Sequence, residues 1–156
     1  MSDTKIVRCS WCGTDELYMD YHDKEWGKHV TDDYILFEFL ILESAQAGLS
    51  WITILRRREG YRAAFANFDY QKVAHYDEEK ISSLVNDPNI IRHKGKIASA
   101  VSNAQIFIEI QKEFGSFYKY LYSFLPDNRP IINSLKTSKN GKTSSSESDA
   151  ISKDLK

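Results

Sequence analysis

Residues 31–60 read TDDYILFEFLILESAQAGLSWITILRRREG, and this stretch decides the fold. Thr31 or Asp32 can cap a helix running from about Asp33 to Ala47, and Gly48 is a natural terminator. Apolar side chains go nearly all the way round that segment, which marks a helix enclosed by others. Ser50 can cap a second helix, WITILRRRE, ending before Gly60. Downstream, Tyr61, Ala64, Phe65 and Phe68 predict a third short helix. Asp69 and Asp77 look like caps for two more, carrying Val73 and then Ile81, Leu84 and Val85. Asp87-Pro88-Asn89 is a turn. From Ile90, positions 90, 94, 97, 101, 104 and 108 recur three or four apart, so a long helix to about Glu113 is expected, with Lys94 its one polar stripe member. Phe117 to Leu125 predicts a further helix before Pro126. The sequence shows neither an internal repeat nor an extended run of strand-type alternation. The expectation is an all-α fold.

Composition changes near residue 137. Residues 1–136 hold the apolar pattern of one helical domain; 137–156, TSKNGKTSSSESDAISKDLK, are rich in Ser and Lys. The expected arrangement there is a mobile loop over 137–147, then a short helix capped by Ser148 or Asp149. A total of 156 residues suits a single domain. The longest strongly apolar stretch, Tyr34 to Leu42, is interrupted by Glu38 and falls well short of the roughly 18 residues a membrane span needs. MSDTKIVRCS has no apolar signal region, so a cytoplasmic protein is expected. With 21 basic and 22 acidic side chains the chain is not histone-like, although a local cationic patch is compatible with that balance. Two cysteines, Cys9 and Cys12, exclude a disulfide framework and leave metal or redox use open.

Glu43 is the most informative residue. On the central helix it shares a face with Leu36, Phe39 and Leu40. A carboxylate there is costly unless a partner or a cavity justifies it, and spacing leaves both explanations open. Glu38, ~140° round the helix from Glu43, reads as an ordinary surface charge. Trp51 opens the next helix. Alone it reads as core; beside Glu43 it could grip a flat, electron-poor ring. The N-terminal segment gathers Trp11, Tyr18, Tyr21, His22 and Trp26, and Cys9-x-x-Cys12 with His22 makes half a metal site. His29 and His75 are expected to be exposed. Arg56, Arg57 and Arg58 end a helix, where positive charge suits the dipole. NDPNIIRHKGK is a turn between helices followed by Arg92, His93, Lys94 and Lys96; it is compatible with phosphate binding and equally with a solvated basic face.

Taken together, RCSW, YHDKEWG, LESAQAGLSWITILRRRE with YR, and NIIRHKGKI strongly resemble bacterial DNA-3-methyladenine glycosylase I, nearly collinearly from Cys9 to Lys156. The resemblance implies a helix-hairpin-helix glycosylase fold. It also implies a monomeric enzyme that flips N3-methyladenine out of double-stranded DNA and hydrolyses its N-glycosidic bond. By motif match Glu43 is the pocket glutamate that hydrogen-bonds the base, and Tyr21, Trp26 and Trp51 are aromatic pocket residues. Asn89, Ile90, Arg92, His93, Lys94 and Lys96 fall in the DNA-binding hairpin, with Asn89 where the family commonly has Gly. Asn tolerates the left-handed conformation better than most residues. Cys9 and His22 match the first two ligands of a structural zinc. SESDAISKDLK resembles the start of the family's closing helical region, whose continuation supplies the other His and Cys ligands and part of the pocket wall. A shortened form with an incomplete zinc clip is therefore expected. Its rival is a catalytically impaired protein that still binds DNA or the lesion, and a small metal or redox module built on Cys9 and Cys12 is a third reading.

Overall fold

The computed structural model describes residues 6–135, 137 and 140–156. Every regular element among them is helical. In chain order they are α1 (Glu16–Lys24), α2 (Asp33–Gln46), α3 (Trp51–Leu55), α4 (Arg58–Ala64), α5 (Tyr70–Val73), α6 (Glu78–Val85), α7 (Lys94–Phe114), α8 (Phe117–Tyr122) and α9 (Ser146–Asp154), with short 3₁₀ turns at Ser10–Cys12, Ala66–Phe68 and Pro126–Asn128.

The aspartates expected to cap helices do so. Asp32 accepts the backbone N–H groups of Tyr34 and Ile35, Asp69 those of Gln71 and Lys72, and Asp77 that of Lys80. Each satisfies donors that a helix start leaves without an internal partner. Asp33 works at longer range. Its carboxylate accepts the N–H groups of Phe117 and Tyr118 at 2.8 and 2.9 Å, so the first turn of α2 caps α8.

The core lies between α2 and α7, with α5, α6 and α8 around them. Phe37 of α2 meets Phe107 of α7 edge-on at 5.2 Å between ring centroids, and Phe107 stacks on Phe117 at 4.2 Å. Phe37, Phe65, Phe68 and Phe107 are all fully buried, each burial contributing about 1.5–3 kcal/mol. That apolar mass holds α2 rigidly and so fixes the direction of the side chains along it.

Several expected boundaries shift, among them the end of α8, at Tyr122 rather than Leu125. The helix over WITILRRRE is two helices: α3 stops at Leu55, Arg57 leaves helical geometry at φ −102° and ψ 2°, and α4 starts at Arg58. Gly60 is therefore no terminator but lies inside α4. A Cβ on Gly60 would sit 2.3 Å from the carbonyl oxygen of Asn89, so the absent side chain admits the hairpin backbone. The long helix starts at Lys94 rather than Ile90, because His93 caps it by accepting the Lys96 N–H at 3.2 Å. The C-terminal helix starts at Ser146, inside the stretch expected to be loop. Ser145 and Ser148 form its reciprocal capping box, so neither Ser148 nor Asp149 is the cap. Lys136, Ser138 and Lys139, which belong to the expected domain boundary and loop, lie outside the described residues.

The contact beneath the hairpin gives a stability prediction. Gly60→Ala improves helix propensity yet is expected to cost about 1–3 kcal/mol, because the new methyl group meets backbone rather than a movable side chain. A lower urea midpoint with an unchanged slope would show it; an unchanged or higher midpoint would contradict this packing.

Candidate active site

Glu43 sits in the last turn of α2 and Trp51 is the first residue of α3. The link between them turns at Gly48, whose φ of +80° is open to glycine without a Cβ penalty. That turn lays α3 against α2 and brings Trp51 beside Phe39. The rings stand 6.4 Å apart and 25° from parallel. Tyr21 of α1 completes the group at 5.5 Å from Trp51 and 6.5 Å from Phe39. Phe39 was read in the sequence only as a face-mate of Glu43; the structure packs its ring beside both Trp51 and Tyr21.

The electrostatics of this recess are unusual. Glu43 makes no hydrogen bond or ion pair among the described residues, and burial pushes its carboxyl above the ordinary glutamate value. The residue is nevertheless exposed. Together these facts describe an acid group that its neighbours shield in part and that still reaches water. The Tyr21 phenol is pushed up to about 12, first by burial and then by the negative charge of Glu43. The Trp51 indole N–H is buried and turned toward the Tyr21 oxygen without completing a hydrogen bond of normal geometry. An uncompensated carboxylate bordered by electron-rich ring faces suits a flat cation.

Trp26 belongs to a neighbouring aromatic group. It stacks on His22 at 5.4 Å and meets Trp11 edge-on at 5.3 Å, while Trp11 reaches Tyr21 at 6.3 Å. Trp26 thus adjoins the recess through Trp11, and at 47% exposure it keeps a free face.

Glu38 is not the surface charge expected from its helical position. It is buried, with Arg58 Nε at 2.6 Å and Arg62 at 2.9 Å. Arg58 also donates to Glu25 at 2.7 Å and lies 5.3 Å from the Phe39 ring centroid. Burial works against the Arg58 charge, and the hydrogen bonds to Glu25 and Glu38 more than reverse it, raising its pKa. The sequence signal was present in Glu38 and the arginines of α4. Only the packing of α4 on α2 joins them.

Cys9 and His22 come together, with the Cys9 N–H donating to His22 Nε2 at 3.3 Å. Asp23 holds His22 Nδ1 at 2.9 Å and is itself held by Arg8. Cys12 is buried and its thiol donates to the Cys9 carbonyl. A structural zinc uses four donors, and no group of three His, Cys, Asp or Glu among the described residues is placed to hold an ion. These residues do not close such a site. His29 and His75 are exposed, as expected.

The hairpin residues divide. Asn89 is exposed, and its N–H donates to Asp87 at 2.8 Å. It does not have the left-handed φ that would have favoured Gly there. Ile90 is only 2% exposed and anchors the hairpin in the core instead of facing outward. Arg92 is exposed, with no partner among the described residues; Lys94 pairs with Glu78. The Lys96 ammonium turns inward to the carbonyls of Ala45 and Ala47 at 2.8 and 2.6 Å, which places it on the end of α2 and away from solution.

A helical pair joined by a hairpin, beside a carboxylate ringed by aromatics, has close counterparts. A family model described as methyladenine glycosylase matches residues 11–156. The chain belongs to this methyladenine glycosylase family. DNA-3-methyladenine glycosylase 1 of Escherichia coli is 46% identical over 151 residues, spanning 97% of this chain and 80% of that protein. The DNA-3-methyladenine glycosylase of Haemophilus influenzae is 41% identical, spanning 96% and 80%. A solved variant of 3-methyladenine DNA glycosylase I in complex with 3-methyladenine superposes with a TM-score of 0.92 at 35% identity, over 96% of this chain and 80% of that one.

In this methyladenine glycosylase fold a broad open concavity of about 1000 Å³ lies away from Glu43, between Leu125, Ile131 and Leu135 and residues 140–149 and 151. Its lining contains no aromatic ring, so it offers a base nothing to stack on. The two glutamates of α2 should respond oppositely to neutralisation. Glu38→Gln leaves two guanidinium groups under-compensated and should cost about 2 kcal/mol. Glu43→Gln should stabilise at pH 7, because a glutamate with a raised folded pKa destabilises the fold when ionised. That gain should vanish as pH falls from the raised value through the unfolded one. Chemical unfolding of both variants at neutral and acid pH checks the pair, and a loss of stability in Glu43→Gln at pH 7 would contradict the reading of an unpaired carboxylate.

Proposed function

We propose that this chain removes 3-methyladenine from alkylated double-stranded DNA by hydrolysing the N-glycosidic bond of the flipped nucleotide, the first step of base excision repair. The observation that carries the reading is Glu43, an exposed carboxylate with no cation beside it, whose charge is felt at Tyr21 next to the rings of Phe39 and Trp51. Methylation at N3 makes the attached base a cation. When the bond from C1′ to N9 breaks, both electrons go to the base, which leaves neutral. Water adds to C1′ and loses its proton to solvent. The leaving group needs little acid catalysis, so the protein's task is extraction and selection.

Selection follows from charge. Ring faces favour a cationic over a neutral purine by about 1–2 kcal/mol when desolvated, and a hydrogen bond to an ionised carboxylate contributes about 1.5–3 kcal/mol. Together these give roughly two to four powers of ten against ordinary adenine. Glu43 binds and discriminates; Tyr21 and Trp51 face the base, with Phe39 behind them and Trp26 at the outer rim. The hairpin holds the backbone through Asn89, Arg92 and the N–H groups at the start of α7, with His93 and Lys94 beside them. One chain carries both recess and hairpin, which supports action as a monomer. No helix among the described residues is long and apolar enough to cross a membrane, in keeping with a cytoplasmic repair enzyme.

Single-turnover release of base from a duplex containing one 3-methyladenine tests this. The wild-type chain should release it; binding without release would favour the impaired, binding-only reading. Glu43→Gln should slow release roughly ten- to hundredfold. The carboxyl must be ionised, and its pKa lies above the ordinary glutamate value, so kcat/KM should fall as pH drops through that raised value. In Glu43→Gln this acid limb should be missing. An identical limb in both proteins would remove Glu43 from the role.

A further inference from the structure

Four arginines lie between residues 56 and 62, and three are bound to carboxylates. Arg56 reaches Asp15 at 2.7 Å, Arg58 reaches Glu25 and Glu38, and Arg62 reaches Glu38 and Glu59. Arg57 has no carboxylate and no hydrogen-bond acceptor among the described residues, although it is half-buried and its Nε is wholly covered. A guanidinium whose Nε is buried unpaired is costly, so its retention calls for an explanation. Its terminal nitrogens are not among the buried unpartnered atoms.

The place of Arg57 supplies one. It immediately precedes α4, and its carbonyl accepts the Tyr61 N–H at 3.0 Å, so residues 57, 60 and 61 share one face of that helix. Both later members of the face touch the hairpin. Gly60 lies against the Asn89 backbone, and the Tyr61 hydroxyl accepts the Ile91 N–H at 3.2 Å. The Arg57 charge is felt at that same hydroxyl. The side chain therefore rises along the face that supports residues 89–91.

We infer that Arg57 is an additional DNA-backbone ligand, placing its free guanidinium nitrogens on a phosphodiester next to the one held by the hairpin. This rests on the glycosylase reading above. In the sequence Arg57 was indistinguishable from its neighbours at a helix end. In the structure Arg56 and Arg58 are neutralised by carboxylates and Arg57 is not. The phosphate would provide the acceptor that the protein withholds, and a bidentate guanidinium would also fix the register of the backbone beside the recess.

The test measures binding of a duplex carrying a tetrahydrofuran abasic-site analogue between 50 and 200 mM salt, with 3-methyladenine base binding and thermal melting followed in parallel. Arg57→Gln should bind the duplex roughly three- to tenfold more weakly at 100 mM salt and reduce the slope of log K against log salt by about 0.9. Arg57→Lys should keep most of the slope. Base binding and melting should be unchanged in both. Wild-type affinity and slope in Arg57→Gln would overturn the assignment. So would a joint loss of base binding and melting temperature in both variants, which would make Arg57 a packing residue. A wild-type chain that binds the free base but not the duplex would instead count against the DNA-repair reading itself.

Discussion

Two carboxylates five residues apart on the enclosed helix α2 are treated in opposite ways, and the rest of the site depends on that difference. Glu38 faces α4, where Arg58 and Arg62 compensate it. Glu43 meets no cation among the described residues, and its charge is felt at Tyr21, whose ring packs near Trp51 and Phe39. A buried ion pair often contributes little net stability, because desolvation offsets the attraction. Here it also does geometric work. Arg58 holds Glu25 at the end of α1 and Glu38 on α2 while lying on Phe39, so the two helices that carry Tyr21 and Glu43 are fastened to α4.

The hairpin is fastened to the same frame from two sides. Gly60 and Tyr61 of α4 meet it at Asn89 and Ile91, and Ile90 is sunk in the core. Lys96, in the first turn of α7, places its ammonium on the Ala45 and Ala47 carbonyls at the end of α2, two and four residues beyond Glu43. Cationic charge at the C-terminal end of a helix is favourable, and here it ties the start of α7, next to the hairpin, to the helix that carries Glu43. A misplacement of one would move the other. That coupling is what the proposed extraction of a single base from DNA would require.

Much of this was legible in the chain. Apolar periodicity and capping aspartates located the helices, because both act over one or two turns and need no distant partner. Glu43 stood out for the same local reason, a charge on a helical face shared with Leu36, Phe39 and Leu40. Boundaries failed where a tertiary contact overrode a local signal. Gly60 reads as a stop but is a clearance for the Asn89 backbone, and Ile90 continues the stripe of α7 in sequence but not in its helix. Glu38 and Lys96 failed likewise, since their partners are 20 or more residues away.

By itself the sequence determined the class of fold, the helix that carries the acid group and the family motifs that point to an alkylated purine. It could do so because helix caps, periodicity and motif spacing are near-neighbour properties of the chain. Only the tertiary structure decided which charges are compensated. Whether a given Arg, Lys or Glu meets a carboxylate, a carbonyl or water depends on helices distant in sequence being packed side by side, and that is what separates Glu43 from Glu38 and Arg57 from Arg58.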